Sequence, residues 1–130
     1  VIRKNKMAKV NSFEDLIVWQ KAINLSVEVY KASGKFPKEE IFGLTAQIRR
    51  ASNSVSLNIS EGSVKTTKMF INQLIIAHGS AAEVLSASIL ANKLGFIVEK
   101  ELNYLRDLIS EITKILNSLI SSLKRKIKNS

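Results

Sequence analysis

An all-α fold, an antiparallel up-down-up-down four-helix bundle, is what this sequence predicts, and three observations predict it. Apolar residues recur at spacings of three and four along four long segments. Breakers are sparse: one proline and five glycines in 130 residues leave those segments almost uninterrupted and lack the regular turn clusters of a β protein. The connections left between the segments are short, which makes sequential neighbours antiparallel. A chain of this length fits one domain and can bury a real core.

Residues 1–11 (VIRKNKMAKVN) are basic and lack the apolar run of a secretory signal, so a disordered segment is expected ahead of a domain spanning 12–123. Ser12 followed by Asp15 resembles a capping box and starts a first helix near Phe13. Leu16, Trp19, Ile23, Val27 and Tyr30 form one apolar stripe, assigned to the core. Val18, Ala22, Leu25 and Val29 form a second, roughly 130° away on a 3.6-residue wheel. Two stripes imply two packing partners, and the second is expected to meet another subunit.

Gly34 ends this helix, and Pro37 with Glu39 and Glu40 suits the first turn of the next. The second helix is expected from about Pro37 to Glu61, stopping at Gly62. Its core stripe is Ile41, Leu44, Ile48, Ala51, Val55 and Ile59, flanked by Arg49, Asn53, Ser56 and Ser60. Phe42, Ala46 and Leu57 lie opposite the core beside Arg50, where an isolated bundle would carry charge, so a subunit contact is expected at Phe42 and Leu57. The second half of this helix, ASNSVSLNIS, has mediocre helix propensity and needs tertiary contacts to hold it.

The third helix begins at Thr66 or Thr67 and ends before Gly95. Glu83 is the only charge between Lys68 and Lys93, a length able to span a bilayer. Interspersed Asn72, Gln73, His78, Ser80, Ser86, Ser88 and Asn92 argue instead for a helix buried on most sides of a bundle, with Gly79-Ser80-Ala81-Ala82 allowing close approach. The fourth starts near Glu99 and carries a heptad seam of Leu102, Leu105, Ile109, Ile112, Leu116, Leu119 and Leu123. Residues 124–130 are read as a basic tail.

The net charge of +9 is unevenly placed. Arg3, Lys4, Lys6 and Lys9 precede the domain, and Lys124, Arg125, Lys126 and Lys128 follow it, with no acid in either stretch. In an antiparallel bundle both stretches, together with Lys65 and Lys68 of the second connection, converge on one end. A nearly neutral body with one positive pole is expected, a footprint that suits phosphate. The absence of cysteine excludes disulfides and thiolate metal sites and fits a cytoplasmic protein, and one histidine cannot build a His-rich metal site. No metal or cofactor is expected.

Several blocks of the sequence carry a resemblance: Phe13-x-Asp15-Leu16-x-Val18-Trp19-Gln20-Lys21-Ala22 with Tyr30, Phe36-Pro37-x-x-Glu40, Phe42-Gly43-Leu44-x-x-Gln47-Ile48-Arg49-Arg50-Ala51, Asn58-Ile59-x-Glu61-Gly62 and Ala77-x-Gly79-Ser80-x-x-Glu83. In this order they resemble the bacterial 23S rRNA intervening-sequence proteins, with Ser60 where that family commonly has Ala. The resemblance implies a four-helix bundle assembling into a homopentamer. The fold is also similar to that of accessory proteins of diversity-generating retroelements, whose pentamers bind nucleic acid and a reverse transcriptase.

Arg49 and Arg50 either contact phosphate or pair with Glu61, Glu83 or another acid. Asn53, Asn58 and Ser60, with Gln47, either form a polar site or fix helix register. His78 and Glu83 lie about 140° apart on the wheel, which excludes a shared catalytic face and points away from an enzyme. Trp19 and Tyr30, on the stripe assigned to the core, are not expected to stack on bases. The expected function is RNA or DNA binding through the basic pole by a homo-oligomer, with a protein-interaction scaffold as the alternative and no membrane role.

Overall fold

The structure, a computed structural model, describes residues 12–130. The basic residues Arg3, Lys4, Lys6 and Lys9 lie outside the described residues. Four α-helices account for most of the rest: α1 (Ile17–Ser33), α2 (Leu44–Ser63), α3 (Thr67–Lys93) and α4 (Glu99–Lys128), with no strand among the described residues. Each packs on its sequence neighbour, and α1 also packs on α4; the backbones of the diagonal pairs stay farther apart. That closes a four-helix ring around one core.

Ser12 accepts a hydrogen bond from the Glu14 amide and caps only a single 3-10 turn, Phe13–Asp15; α1 proper starts after Leu16 turns the chain through an extended conformation. The two apolar stripes of α1 exchange roles. Val18, Ala22, Leu25 and Val29 are buried in the bundle core, whereas Ile23, Val27 and Tyr30 are exposed. Val18, Leu25 and Val29 therefore cannot form the expected subunit contact. Ala22 lets α1 approach its neighbours closely on the buried side, while the bulky Trp19 sits only at the margin of the core, edge-on to Phe13 at 5.1 Å.

The second helix starts seven residues later than Pro37. Lys38–Glu40 forms a 3-10 turn, Gly43 breaks the path, and the Glu40 carboxylate accepts from the Leu44 amide at 3.0 Å, capping α2. Ile41, expected in the core stripe, is left exposed in that connection; Leu44, Ile48, Ala51, Val55 and Ile59 are buried as the periodicity predicts. At the far end a Cβ on Gly62 would meet the Phe70 ring at 2.8 Å, so the start of α3 passes against bare backbone there.

The inner face of α3 is buried through Leu74, Ala77, Ala81, Val84 and Ala91, but it is not enclosed on most sides: Met69, Ile75, Ile76 and Leu90 are about half exposed, and Gly79 faces open space. By length and apolar composition α3 qualifies as a membrane span, yet it packs along both α2 and α4. Among the described residues positive φ occurs only at Gly95, which turns the chain out of α3 into the short connection to α4. Helix α4 buries its seam from Leu102 to Leu116, half-buries Leu119 and Leu123, and stays helical to Lys128, so the segment expected to be a tail is the last turns of a helix.

Candidate functional site

Lys124, Arg125, Lys126 and Lys128 are all exposed on those last turns. Cations are favoured there, because the carbonyl end of the helix carries partial negative charge. Leu16 and Ile17, at the start of α1, share a groove with Ile115 and Ser122 of α4, so α4 runs past the start of α1 and its final residues project beyond the bundle. None of the four joins an ion pair among the described residues. At the same end, Lys65 pairs with Glu61 at 3.5 Å, and Lys68 is exposed in the first turn of α3. Sequence reasoning placed these residues together, and the antiparallel packing does so.

Arg49 and Arg50 do not join them. Arg50 sits thirteen residues before the end of α2 at Ser63, roughly 20 Å along the helix axis. Arg49 pairs with no acid among the described residues: its Nε donates to Ser33 Oγ at 2.8 Å, and its guanidinium lies 4.5 Å from the centre of the Tyr30 ring. Asn53 donates to the Tyr30 hydroxyl at 3.0 Å, completing a polar lock between α1 and α2. Arg50, by contrast, is exposed and in no ion pair among the described residues.

A second lock joins α2 to α3. Asn58 donates to the Ser54 carbonyl at 2.8 Å and accepts from Gln73 at 3.3 Å, Gln73 donates to Glu61 at 2.6 Å, and the Ser54 and Ser80 hydroxyls are 2.9 Å apart. Asn53 and Asn58 thus set helix register, while Ser60 only donates to the Leu57 carbonyl of its own helix. No cluster of metal-ligating side chains occurs among the described residues.

What the sequence reading missed is apolar. Phe42 (94% exposed) and Leu57 (63%) stand outward as expected, but Ile23, Val27 and Tyr30 join them, lining a groove with Asn53 and Ser56 of about 500 Å³ between α1 and α2. The outer side of α3 adds Ile75, Ile76 and Leu90. One signal for α3 was present in the sequence: a long helix with one internal charge cannot present a charged outer face.

A family model described as 23S rRNA-intervening sequence protein matches residues 14–118. A crystal structure of a protein with unknown function, from the S23 ribosomal protein family of Bacteroides thetaiotaomicron VPI-5482, is 27% identical and superposes with a TM-score of 0.71, covering 80% of this chain and 98% of that one. No curated protein matches the chain.

Proposed function

The chain belongs to the 23S rRNA-intervening sequence protein family, and from that premise we propose that it is a non-enzymatic, cytoplasmic homo-oligomer that binds nucleic acid, RNA foremost, through the positive end of its bundle. One observation carries this: four cations, in no ion pair among the described residues, on a helical end that projects beyond the end of the fold holding Lys65 and Lys68. Backbone phosphates meet such an end by displacing counterions, without reading sequence. Assembly multiplies the effect, because every copy contributes Lys124, Arg125, Lys126 and Lys128 to one polyanion. The resemblance to pentameric relatives supports five copies.

Fluorescence anisotropy with a labelled single-stranded RNA tests the proposal. Affinity falls steeply between about 50 and 200 mM salt. Removing residues 124–130 deletes four cations, which shrinks the log–log slope by roughly three. Absence of any RNA or DNA binding at ~50 mM salt overturns it.

A scaffold that holds a partner protein is the second reading, favoured by the almost fully exposed Phe42. Pull-down after nuclease treatment separates the two: partners that survive nuclease support the scaffold, and partners lost with the RNA support nucleic-acid binding.

A further inference from the structure

Two outward faces of the bundle match each other level by level. The polar locks define the levels: Tyr30 stands beside Asn53, and Ser54 beside Ser80. One turn further along α1 from Tyr30 is Val27, and one turn further again is Ile23, both exposed over the groove between α1 and α2. On α3, the outward Gly79, Ile76 and Ile75 occupy the same levels. A turn in the other direction, Glu83 on α3 and Arg50 on α2 are level with each other. Both are exposed, neither is in an ion pair among the described residues, and Glu83 is the only acid on its helix. Apolar thus stands level with apolar, and an acid level with a base, neither in an ion pair among the described residues.

Building on the homo-oligomer proposed above, we propose that the outer face of α3 in one copy seats in the α1–α2 groove of the next, with Gly79 over Val27 and Glu83 paired with Arg50. The occupant is a second copy of this chain, because the complementary surface is on the chain itself. Since two different faces meet, the contact is head-to-tail. Matching levels leave no shift along the bundle axis from one copy to the next. The two faces lie on neighbouring sides of the bundle, with α2 between them, so successive copies turn instead of stacking into a straight filament. Repetition closes a ring whose copies all point the same way, and every α4 overhang emerges on one rim. Arg50, too far from the basic end to help hold phosphate there, has a different role in this arrangement: it sets the contact.

The chain has no cysteine, so introduced ones report without background. Val27 is exposed and Gly79 has open space around it, so Val27→Cys and Gly79→Cys leave the fold intact. Under oxidation a mixture of the two variants forms disulfide-linked dimers, neither variant does so alone, and the doubly substituted chain forms a ladder of linked species. Glu83→Arg and Arg50→Glu each raise the apparent dissociation constant of the oligomer at least tenfold by light scattering and sedimentation, and combining them restores assembly. An oligomer that shows no Val27–Gly79 linkage, or that links like positions, overturns this contact while leaving the oligomer standing. A wild-type chain that stays monomeric, at 14.5 kDa and micromolar concentration, overturns both. RNA binding by the basic end is read separately in either case.

Discussion

Helices α3 and α4 are the two longest in the molecule and contribute to the same core, yet they treat the outside differently. On α4 the sides turned from the core carry mostly Asn103, Arg106, Asp107, Ser110, Glu111 and Lys114, with Tyr104 and Ile127 the large apolar exceptions; on α3 they carry Met69, Ile75, Ile76, Gly79 and Leu90 among fewer polar residues such as Asn72, Glu83 and Ser86. A face like that of α4 is complete in water. The face of α3 is what a packed helix looks like before its last neighbour arrives. In the assembly proposed above, the contrast would put α4 at the periphery and α3 at the seams.

The inner faces should behave alike, and the largest effect tests that. Ile112→Ala on α4 and Leu74→Ala on α3, both fully buried, should each cost about 2–5 kcal/mol in urea denaturation; a much smaller loss on α3 would mean its core face is less tightly packed than its burial implies. Close approach comes next. Gly62→Val forces a side chain against Phe70 and Gln73 where α2 meets α3, costing about 1–3 kcal/mol, with no comparable site on α4.

The outer faces should then diverge. If copies associate as proposed, Tm should rise with protein concentration, because association stabilises the folded state by mass action. Ile76→Lys should abolish that dependence, whereas Asn103→Lys on the outer side of α4 should leave it unchanged; equal behaviour of the two variants erases the contrast. The smallest effect belongs to the start of α4. A hydrogen bond from Lys35, helped by the Val98 amide and opposed by slight burial, holds the Glu101 carboxyl below the ordinary carboxylate value. A depressed folded-state pKa stabilises above the unfolded value and loses that contribution as pH falls through the folded one. Glu101→Gln should therefore lower stability at neutral pH by at most about 1 kcal/mol, as for a largely exposed pair. The variant and wild type should converge only once the pH is below the depressed folded-state pKa of Glu101. An unchanged gap at pH 2 would sink the assignment.

Most of the fold was legible because helical periodicity is a local property. The seam from Leu102 to Leu116 and the stripe from Leu44 to Ile59 are buried as their spacing requires, and sparse breakers bounded the helices to within a few residues except at Gly43 and at the end of α4, where no breaker stops the helix before Lys128. At Gly43 a side-chain cap from Glu40 overruled the proline signal. Of the candidate site, the shared basic end was legible, since antiparallel order alone decides which termini meet. The partners of Arg49 were not. Ser33 and Tyr30 lie sixteen and nineteen residues away, and nothing local marks a serine and an aromatic ring as a guanidinium cradle.

By itself, then, the sequence determined four helices, their order, the near-neutral body and the clustering of charge at one end, because composition and a 3.6-residue repeat suffice for each. Only the tertiary structure decided which of the two stripes on α1 faces inward. Both satisfy the same wheel, and the choice turns on whether Trp19 and Tyr30, or Ala22 and Leu25, fit between helices packed at core density. That choice moves Val18, Leu25 and Val29 into the core and puts Ile23, Val27 and Tyr30 on the surface, where the chain remains free to meet another copy of itself.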